Sequence, residues 1–154
     1  RQDLFNEAIG RDINFIQDNE SKSSKGVLRG LHYQVPPFSQ SKLLKVVEGA
    51  VLDVVVDIRK SSPTFGQHLA IELSVENKYQ LFVPKGFAHG FVVLSDVATF
   101  TYKVDSYYAP EHERGIAFND QNLKINWQLK PEFFKLASKD LNHPNFANVQ
   151  DFFD

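Results

Sequence analysis

The sequence has 154 residues, a formal net charge of −2 and no cysteine. This length is typical of a single domain, the near-neutral charge gives no support to a nucleic-acid partner, and the lack of cysteine excludes disulfides, thiolate metal ligands and cysteine nucleophiles. Because no run of about 18 apolar residues occurs, we expect a soluble protein without a membrane partner.

The first predicted element is a short helix at the start of the chain. Leu4, Phe5, Ala8 and Ile9 recur at helical spacing. Gly10 follows them, and glycine is a common residue just past the end of a helix. We therefore predict that the helix ends at this glycine.

Residues from about 14 to 108 predict β-strands separated by turns. Runs of β-branched residues flank Glu48–Gly49, and similar strand patterns flank residues 76–78 and Ser95–Asp96. We interpret these turns as hairpins. Turn signals at intervals of about 8–12 residues, with no helical pattern between strands, favour an antiparallel sandwich or barrel over an α/β fold.

The strand pattern weakens after residue 108. Residues 131–146, PEFFKLASKDLNHPNF, predict either a short helix or an ordered irregular tail. The sequence contains no internal repeat, linker or low-complexity segment. We therefore predict one domain over residues 1–154.

The segment GVLRGLHYQ, residues 26–34, places Arg29 and His32 within a predicted strand. A lone histidine among apolar residues is more often a core residue than a functional one. A buried arginine, however, needs an anionic partner, and its planar group suits a phosphate. Alternation along a strand would separate the two side chains, so we predict a bulge at Gly30 that turns both toward one site.

Other polar residues are individually ambiguous. Lys42 begins a predicted strand, Tyr102 lies within another and Asp140 lies in the tail, and each alone is compatible with a structural role. His89 follows the tight turn PKG in a pattern that resembles the second motif of cupins, small jelly-roll barrels. With only His32 and His89 and no carboxylate at ligand spacing, the metal-site signal is weak.

Six segments taken together resemble one family. They are FIQDNESKS, GVLRGLHYQVPP, QSKLLKVVEGAVLDVVVDIRKSSPTFG, LSVENKYQLFVPKGFAHGFVVLS, YKVDSYYAPEHERGI and ASKD. On them the chain is identified as a member of the dTDP-4-dehydrorhamnose 3,5-epimerase family. The resemblance implies a mainly β, cupin-type jelly-roll sandwich with a short N-terminal helix and a helical or irregular C-terminal tail.

The resemblance also implies an activity. Family members invert C3 and C5 of dTDP-4-dehydro-6-deoxy-D-glucose, on either side of the C4 ketone, and form dTDP-4-dehydro-L-rhamnose. It further implies a cytoplasmic homodimer that binds a dTDP-4-keto-6-deoxy-hexose and works without a metal or other cofactor.

The resemblance assigns roles to individual residues. His32 matches the general base, Asp140 the carboxylate that orients it, Tyr102 the acid that returns a proton and Lys42 the cation near the C4 oxygen. The residues that it implies for substrate binding are Gln17, Asp18, Asn19, Arg29, His89, Tyr107, Tyr108, Glu113 and Lys139.

Two points stay open in the sequence. The family has an N-terminal strand arm with an R-G-F-type segment, and because the chain starts at Arg1 and has no methionine, we expect that this arm precedes the sequence given. The alternative functions are an epimerase of C3 or C5 alone, a non-catalytic nucleotide-sugar-binding cupin, and a metal-dependent cupin. The number of carbons that exchange with solvent deuterium, and sensitivity to chelators, distinguish them.

Overall fold

The computed structural model describes residues 1–154, and it begins with the predicted helix. α1 spans Gln2–Ile9 and ends at Gly10, whose φ of 63° is a left-handed conformation that glycine adopts without strain. Phe5 of the helix packs edge-on against Phe82, with 5.4 Å between ring centroids. The helix prediction is confirmed. Since α1 has eight residues and the other helical turns are shorter, no helix in this structure is long enough to cross a membrane.

Antiparallel strands in two sheets make up most of the chain. The strands are β1 (Gln17–Ser24), β2 (Leu28–Gln34), β3 (Lys42–Glu48), β4 (Ala50–Asp57), β5 (His68–Ser74), β6 (Gln80–Val83), β7 (Phe87–Val93), β8 (Val97–Val104) and β9 (Glu113–Gly115). A four-stranded sheet has the order β1–β8–β3–β6, and a five-stranded sheet has the order β5–β4–β7–β2–β9. This arrangement confirms the predicted jelly-roll sandwich.

The three predicted hairpins are wrong, although their turns exist. Gly49 joins β3 to β4, but β3 pairs with β6 and β8 whereas β4 pairs with β5 and β7. The turns after β5 and β7 likewise lead into strands of the other sheet. Each turn is therefore a corner between sheets. Turn residues mark where the chain reverses, but the strand partner is set by which apolar faces pack together.

Two apolar clusters cover the two faces of the five-stranded sheet. One lies between the sheets and includes Leu44, Val51 and Phe91. The other lies on the outer face, where Leu52 and Trp127 are among its members. β4 contributes alternate residues to both clusters, which explains why its sequence AVLDVVVD is nearly continuous in apolar residues.

The C-terminal tail is ordered but contains no α-helix. Its helical parts are three short 3₁₀ turns, at Pro131–Phe133, Ser138–Leu141 and Phe146–Asn148. The tail packs its apolar side chains against the outer cluster of the five-stranded sheet. This packing places the turn Ser138–Leu141 beside β2, where it becomes part of the candidate site.

Candidate active site

A cavity of about 640 Å³ opens between the two sheets. Its lining includes side chains of both sheets and of the C-terminal tail. The predicted site residues that line it are Gln17, Asn19, Arg29, His32, Lys42, His89, Tyr102, Tyr108, Glu113 and Lys139. Asp140 lies directly behind His32, so the structure brings together residues that are up to 123 positions apart (17 to 140) in the sequence.

His32 and Asp140 form a hydrogen-bonded pair at one wall of the cavity. His32 Nε2 lies 2.5 Å from Asp140 Oδ1, and Asp140 is buried. Burial acts to raise the pKa of Asp140. The hydrogen bond and charge of His32, with smaller contributions from the Gly30 backbone and the Arg29 charge, outweigh burial, so the pKa of the carboxyl lies below its ordinary value. Asp140 is therefore ionised, and it fixes one nitrogen of the His32 ring while the other remains free.

The predicted bulge in β2 is confirmed. Arg29 and His32 both pair with β7, but β2 has one more residue than β7 between these two positions. Gly30 occupies the bulge with a φ of 132°, and a Cβ there would lie 2.5 Å from Gly90 Cα. The extra residue reverses the alternation, so the side chains of Arg29 and His32 both line the cavity.

Lys42 brings a cation into the cavity from the opposite sheet. It is the first residue of β3 and is only partly exposed. Burial lowers the pKa of Lys42, while the carboxylates of Asp53 and Glu113 act to raise it. Asp53 in turn lies 2.9 Å from His89 Nε2 in a buried pair on the five-stranded sheet. An ammonium in such a dry setting interacts strongly with a negative charge that forms nearby.

Tyr102 lies on β8, in the same sheet as Lys42. Its ring is nearly parallel to that of Phe100, with 6.0 Å between centroids. Burial raises the pKa of Tyr102, which keeps its hydroxyl protonated at neutral pH. The residue is thus a proton donor on the wall of the cavity that faces His32.

Three residues form a connected group at the rim. Lys139 Nζ donates to both carboxylate oxygens of Glu113, at 3.0 and 2.9 Å, and the Tyr108 hydroxyl donates to Glu113 at 3.1 Å. Burial acts to raise the pKa of Glu113. The hydrogen bonds from Lys139 and Tyr108, together with the positive charges of Lys139 and His32, outweigh burial, so the pKa of Glu113 is lowered. The rim therefore carries one negative and one positive charge in fixed positions.

Two predicted site residues do not line the cavity. β1 alternates strictly, so Gln17 and Asn19 face the cavity while Asp18 faces away. The Asp18 side chain is 74% exposed and accepts a hydrogen bond from Lys103 at 2.6 Å. Tyr107 is 63% exposed and lies outside the lining, whereas its neighbour Tyr108 is part of it. The structure thus places Asp18 and Tyr107 outside the cavity lining, and their role in substrate binding stays a prediction.

The sequence reasoning missed other residues at the site. Ser21 and Ser23 continue the cavity-facing series of β1, and the alternation of that strand is a signal that could have found them. Asp53 is a carboxylate within an otherwise apolar strand, which is also a recognisable signal. His143 contacts the Asp140 carboxylate at 3.7 Å, and no local pattern marks it.

One group of side chains has the residue types and proximity of a metal site, namely His32, Asp140 and His143. Their ligand-type atoms lie within 4.8 Å of one another. Ligands at about 2.0–2.2 Å from a tetrahedral zinc ion are about 3.3–3.6 Å apart, however. The 2.5 Å between His32 and Asp140 is a hydrogen-bond distance, so this arrangement fits a shared proton and not a shared ion.

Comparisons with known proteins identify one family. The family model described as dTDP-4-dehydrorhamnose 3,5-epimerase matches residues 1–148. A protein of that name from Shigella flexneri is 53% identical over 151 residues, which cover 98% of this chain and 82% of the relative.

Solved structures give the same result. The epimerase of that name from Elizabethkingia anophelis has a TM-score of 0.95 and 48% identity, over 99% of this chain and 82% of its own. A 3,5-epimerase from Legionella pneumophila, solved in complex with dTDP-4-keto-L-rhamnose, has a TM-score of 0.93 and 48% identity, over 97% of this chain and 79% of its own.

Proposed function

This chain belongs to the dTDP-4-dehydrorhamnose 3,5-epimerase family, and we propose that its cavity performs this epimerisation with His32 as base, Lys42 as enolate stabiliser and Tyr102 as acid. The reaction inverts C3 and C5 of dTDP-4-dehydro-6-deoxy-D-glucose and gives dTDP-4-dehydro-L-rhamnose, a step of dTDP-L-rhamnose synthesis. Both carbons are adjacent to the C4 ketone. Each inversion therefore removes a proton to leave an enolate and then returns a proton to the other face.

The His32–Asp140 pair supports the first half of each inversion. Asp140 holds Nε2 of His32, so Nδ1 is the nitrogen that accepts the proton from carbon. The imidazolium that forms is stabilised by the ionised carboxylate 2.5 Å away. Asp140 itself does not touch the substrate, because it is buried behind the ring, and it acts as a positioning residue.

Lys42 supports the enolate. When the C–H bond breaks, its electron pair delocalises onto the C4 oxygen, and an ammonium in a partly dehydrated site stabilises that oxygen more in the transition state than in the ground state. The side chain of Lys42 lies in the cavity that His32 also lines. One cation serves both inversions, since C3 and C5 share the same ketone.

The opposed positions of base and acid are the observation that carries the proposal. His32 projects from the five-stranded sheet, whereas Tyr102 projects from the four-stranded sheet. A sugar ring bound between the sheets would meet the base on one face and the acid on the other. Inversion needs this geometry, because return of the proton to the original face would only regenerate the substrate.

The remaining lining residues supply binding groups for the rest of the substrate. We assign the diphosphate to Arg29, since its guanidinium suits phosphate oxygens, and to the amides of Gln17 and Asn19 on the facing sheet. We assign the rim group of Tyr108, Glu113 and Lys139 to the nucleotide end of the substrate.

Solvent exchange provides the direct test. With the dTDP-4-keto sugar in D₂O, NMR spectra of the wild-type reaction should show deuterium at both C3 and C5. His32→Ala should give deuterium at neither carbon. Deuterium at one carbon only would make the protein a single-position epimerase, and unchanged exchange by His32→Ala would refute the assigned base. Turnover should also be the same in the presence of a chelator.

We further propose that residues 1–154 act as one domain within a cytoplasmic homodimer. The tail supplies Asp140 to a base on β2, which supports a single folding unit. β1 is an edge strand that also lines the cavity, so a second chain placed along it would help to enclose the substrate. A nucleotide-sugar substrate supports the proposed cytoplasmic location. Sedimentation equilibrium should give a mass twice that of the 17.6 kDa chain, and a monomer mass at micromolar concentration would refute the dimer.

A further inference from the structure

A second histidine lies against the carboxylate that orients the base. His143 Nε2 is 3.7 Å from Asp140 Oδ1, the same oxygen that His32 binds at 2.5 Å. The two imidazole rings are in contact edge to face, with 5.3 Å between centroids and 76° between planes. The mechanism proposed above assigns no task to His143, although it is a titratable group within one contact of the base.

The contact between His143 and Asp140 leaves two buried polar atoms without a hydrogen bond. These atoms are His143 Nε2 and Asp140 Oδ2. Each of the two side chains in contact contributes one of these atoms, and a buried polar atom without a partner is unfavourable. A small rotation that shortens the 3.7 Å separation would give the Nε2–H of His143 an acceptor on the carboxylate.

The fold provides a specific position for the His143 ring. The ring lies on Gly115 of β9, at the position that pairs with His32 across the strands. A Cβ at Gly115 would overlap the ring, so glycine is the residue that leaves room for it. The ring is thus held on the strand next to the base by packing as well as by its polar contact.

The charges around His143 favour its neutral form. Burial lowers the pKa of His143, and the positive charges of His32 and Lys139 act in the same direction, while Asp140 and Glu113 oppose them. These four groups face the ring from β2, β9 and the turn Ser138–Leu141. A neutral imidazole at this position carries one N–H that it can donate to Asp140.

We propose that His143 is a positioning residue that shares the Asp140 carboxylate with His32 and so limits how strongly this carboxylate holds the proton of the base. The reasoning rests on the role of His32 proposed above. A carboxylate that accepts two hydrogen bonds has less negative charge available for each. Without the second donor, Asp140 would hold the His32 proton more tightly, and His32 would be free to accept a proton only at higher pH.

The test measures the titration of His32 in three variants of the whole chain. His143→Phe keeps a ring but removes the donor, His143→Gln keeps an N–H at a position similar to that of Nε2, and His68→Phe changes an exposed histidine on β5 as a control. Imidazole ¹⁵N NMR should show the His32 midpoint raised by about 0.5–1 pH unit in His143→Phe. His143→Gln and His68→Phe should leave it near the wild-type value.

Kinetics should report the same change. The pH below which kcat/KM falls should rise together with the NMR midpoint in His143→Phe. In His143→Gln it should be close to the wild-type value. If His143 only fills space, phenylalanine should be tolerated and the midpoint should stay in place, which would overturn the proposal. The two proposals fail in different ways. An active His32→Ala would refute the role of His32 as base, whereas an unchanged NMR midpoint in His143→Phe, which is measured without turnover, would refute the role of His143.

Discussion

Replacing Lys42 with methionine tests the centre of the proposed chemistry. Methionine keeps the length and apolar character of the side chain but removes the charge that we place beside the C4 oxygen. Loss of one preorganised donor of this kind lowers kcat by about 10²–10³, which corresponds to about 2.7–4 kcal/mol of transition-state stabilisation. We expect Lys42→Met to fall in this range.

A Coulomb estimate from the structure gives a compatible magnitude. An ammonium about 3 Å from a full negative charge, at an effective dielectric constant of about 20, contributes about 5–6 kcal/mol. The carboxylates of Asp53 and Glu113 act on the same ammonium and offset part of its field. The enolate also bears only part of its charge in the transition state. A loss near 3 kcal/mol, or about 10²-fold, is therefore the expected result.

The pH dependence gives a second and independent signature of Lys42. Burial lowers the pKa of Lys42 more than Asp53 and Glu113 raise it, and only the protonated form stabilises the enolate. Activity should therefore fall as pH rises through a value below the usual lysine pKa of about 10.4. Tyr102 does not account for this fall, because proton exchange does not require it and because burial raises its pKa. Lys42→Met should therefore lose the fall in exchange rate at alkaline pH.

The assay is the rate of deuterium incorporation at C3 and C5, followed by NMR at saturating dTDP-4-keto sugar over a range of pH. Lys45→Met is the matched control, because Lys45 lies on the same strand but is exposed. It should retain the wild-type rate and pH profile. A kcat for Lys42→Met within tenfold of the wild type, with the alkaline limb unchanged, would refute the assignment of Lys42 to the enolate.

Three further changes test neighbouring parts of the site. Tyr102→Phe should still exchange protons with solvent but yield little inverted product, and inversion at the wild-type rate would exclude Tyr102 as the acid. Asp140→Asn should lower kcat by about 10²–10⁴ because the His32 ring loses its anionic partner, which single-turnover kinetics would measure. Gly90→Ala should lower the free energy of unfolding by about 1–3 kcal/mol, because the added Cβ would lie 2.7 Å from the Arg29 carbonyl oxygen. Urea titrations measure this change, and an unchanged urea midpoint would contradict the close contact at the bulge.

The strands were predictable from the sequence, but their partners were not. Local signals such as Gly10 and Gly49 mark where elements end, because these positions need a positive φ that glycine adopts readily. Whether the strands on either side of Gly49 pair with each other depends on burial far along the chain. Since β4 is apolar on both faces, its sequence is compatible with several positions in a sheet, and only packing selects the central one.

The site was predictable where a local pattern or a family motif identified the residue. The bulge at Gly30 follows from an arginine and a histidine at odd spacing in a strand, and it places both in the cavity. For Asp18 the motif gives residue identity without orientation, and the alternation of β1 sends its side chain outward. His143 was not found because its partner on β2 is 111 positions away (32 to 143), and nothing near it in the sequence records that contact.

The corners that were interpreted as hairpins are also what makes inversion possible. A hairpin at Ser95–Asp96 would place β7 and β8 side by side, and the side chains of His89 and Tyr102 would project from one sheet. The observed corner instead puts β7 beside β2, which carries His32, and sends β8, which carries Tyr102, to the facing sheet. The proposed base and the proposed acid then lie on opposite walls of one cavity. The two-faced proton transfer that epimerisation requires is thus a consequence of strands that are consecutive in sequence but belong to different sheets.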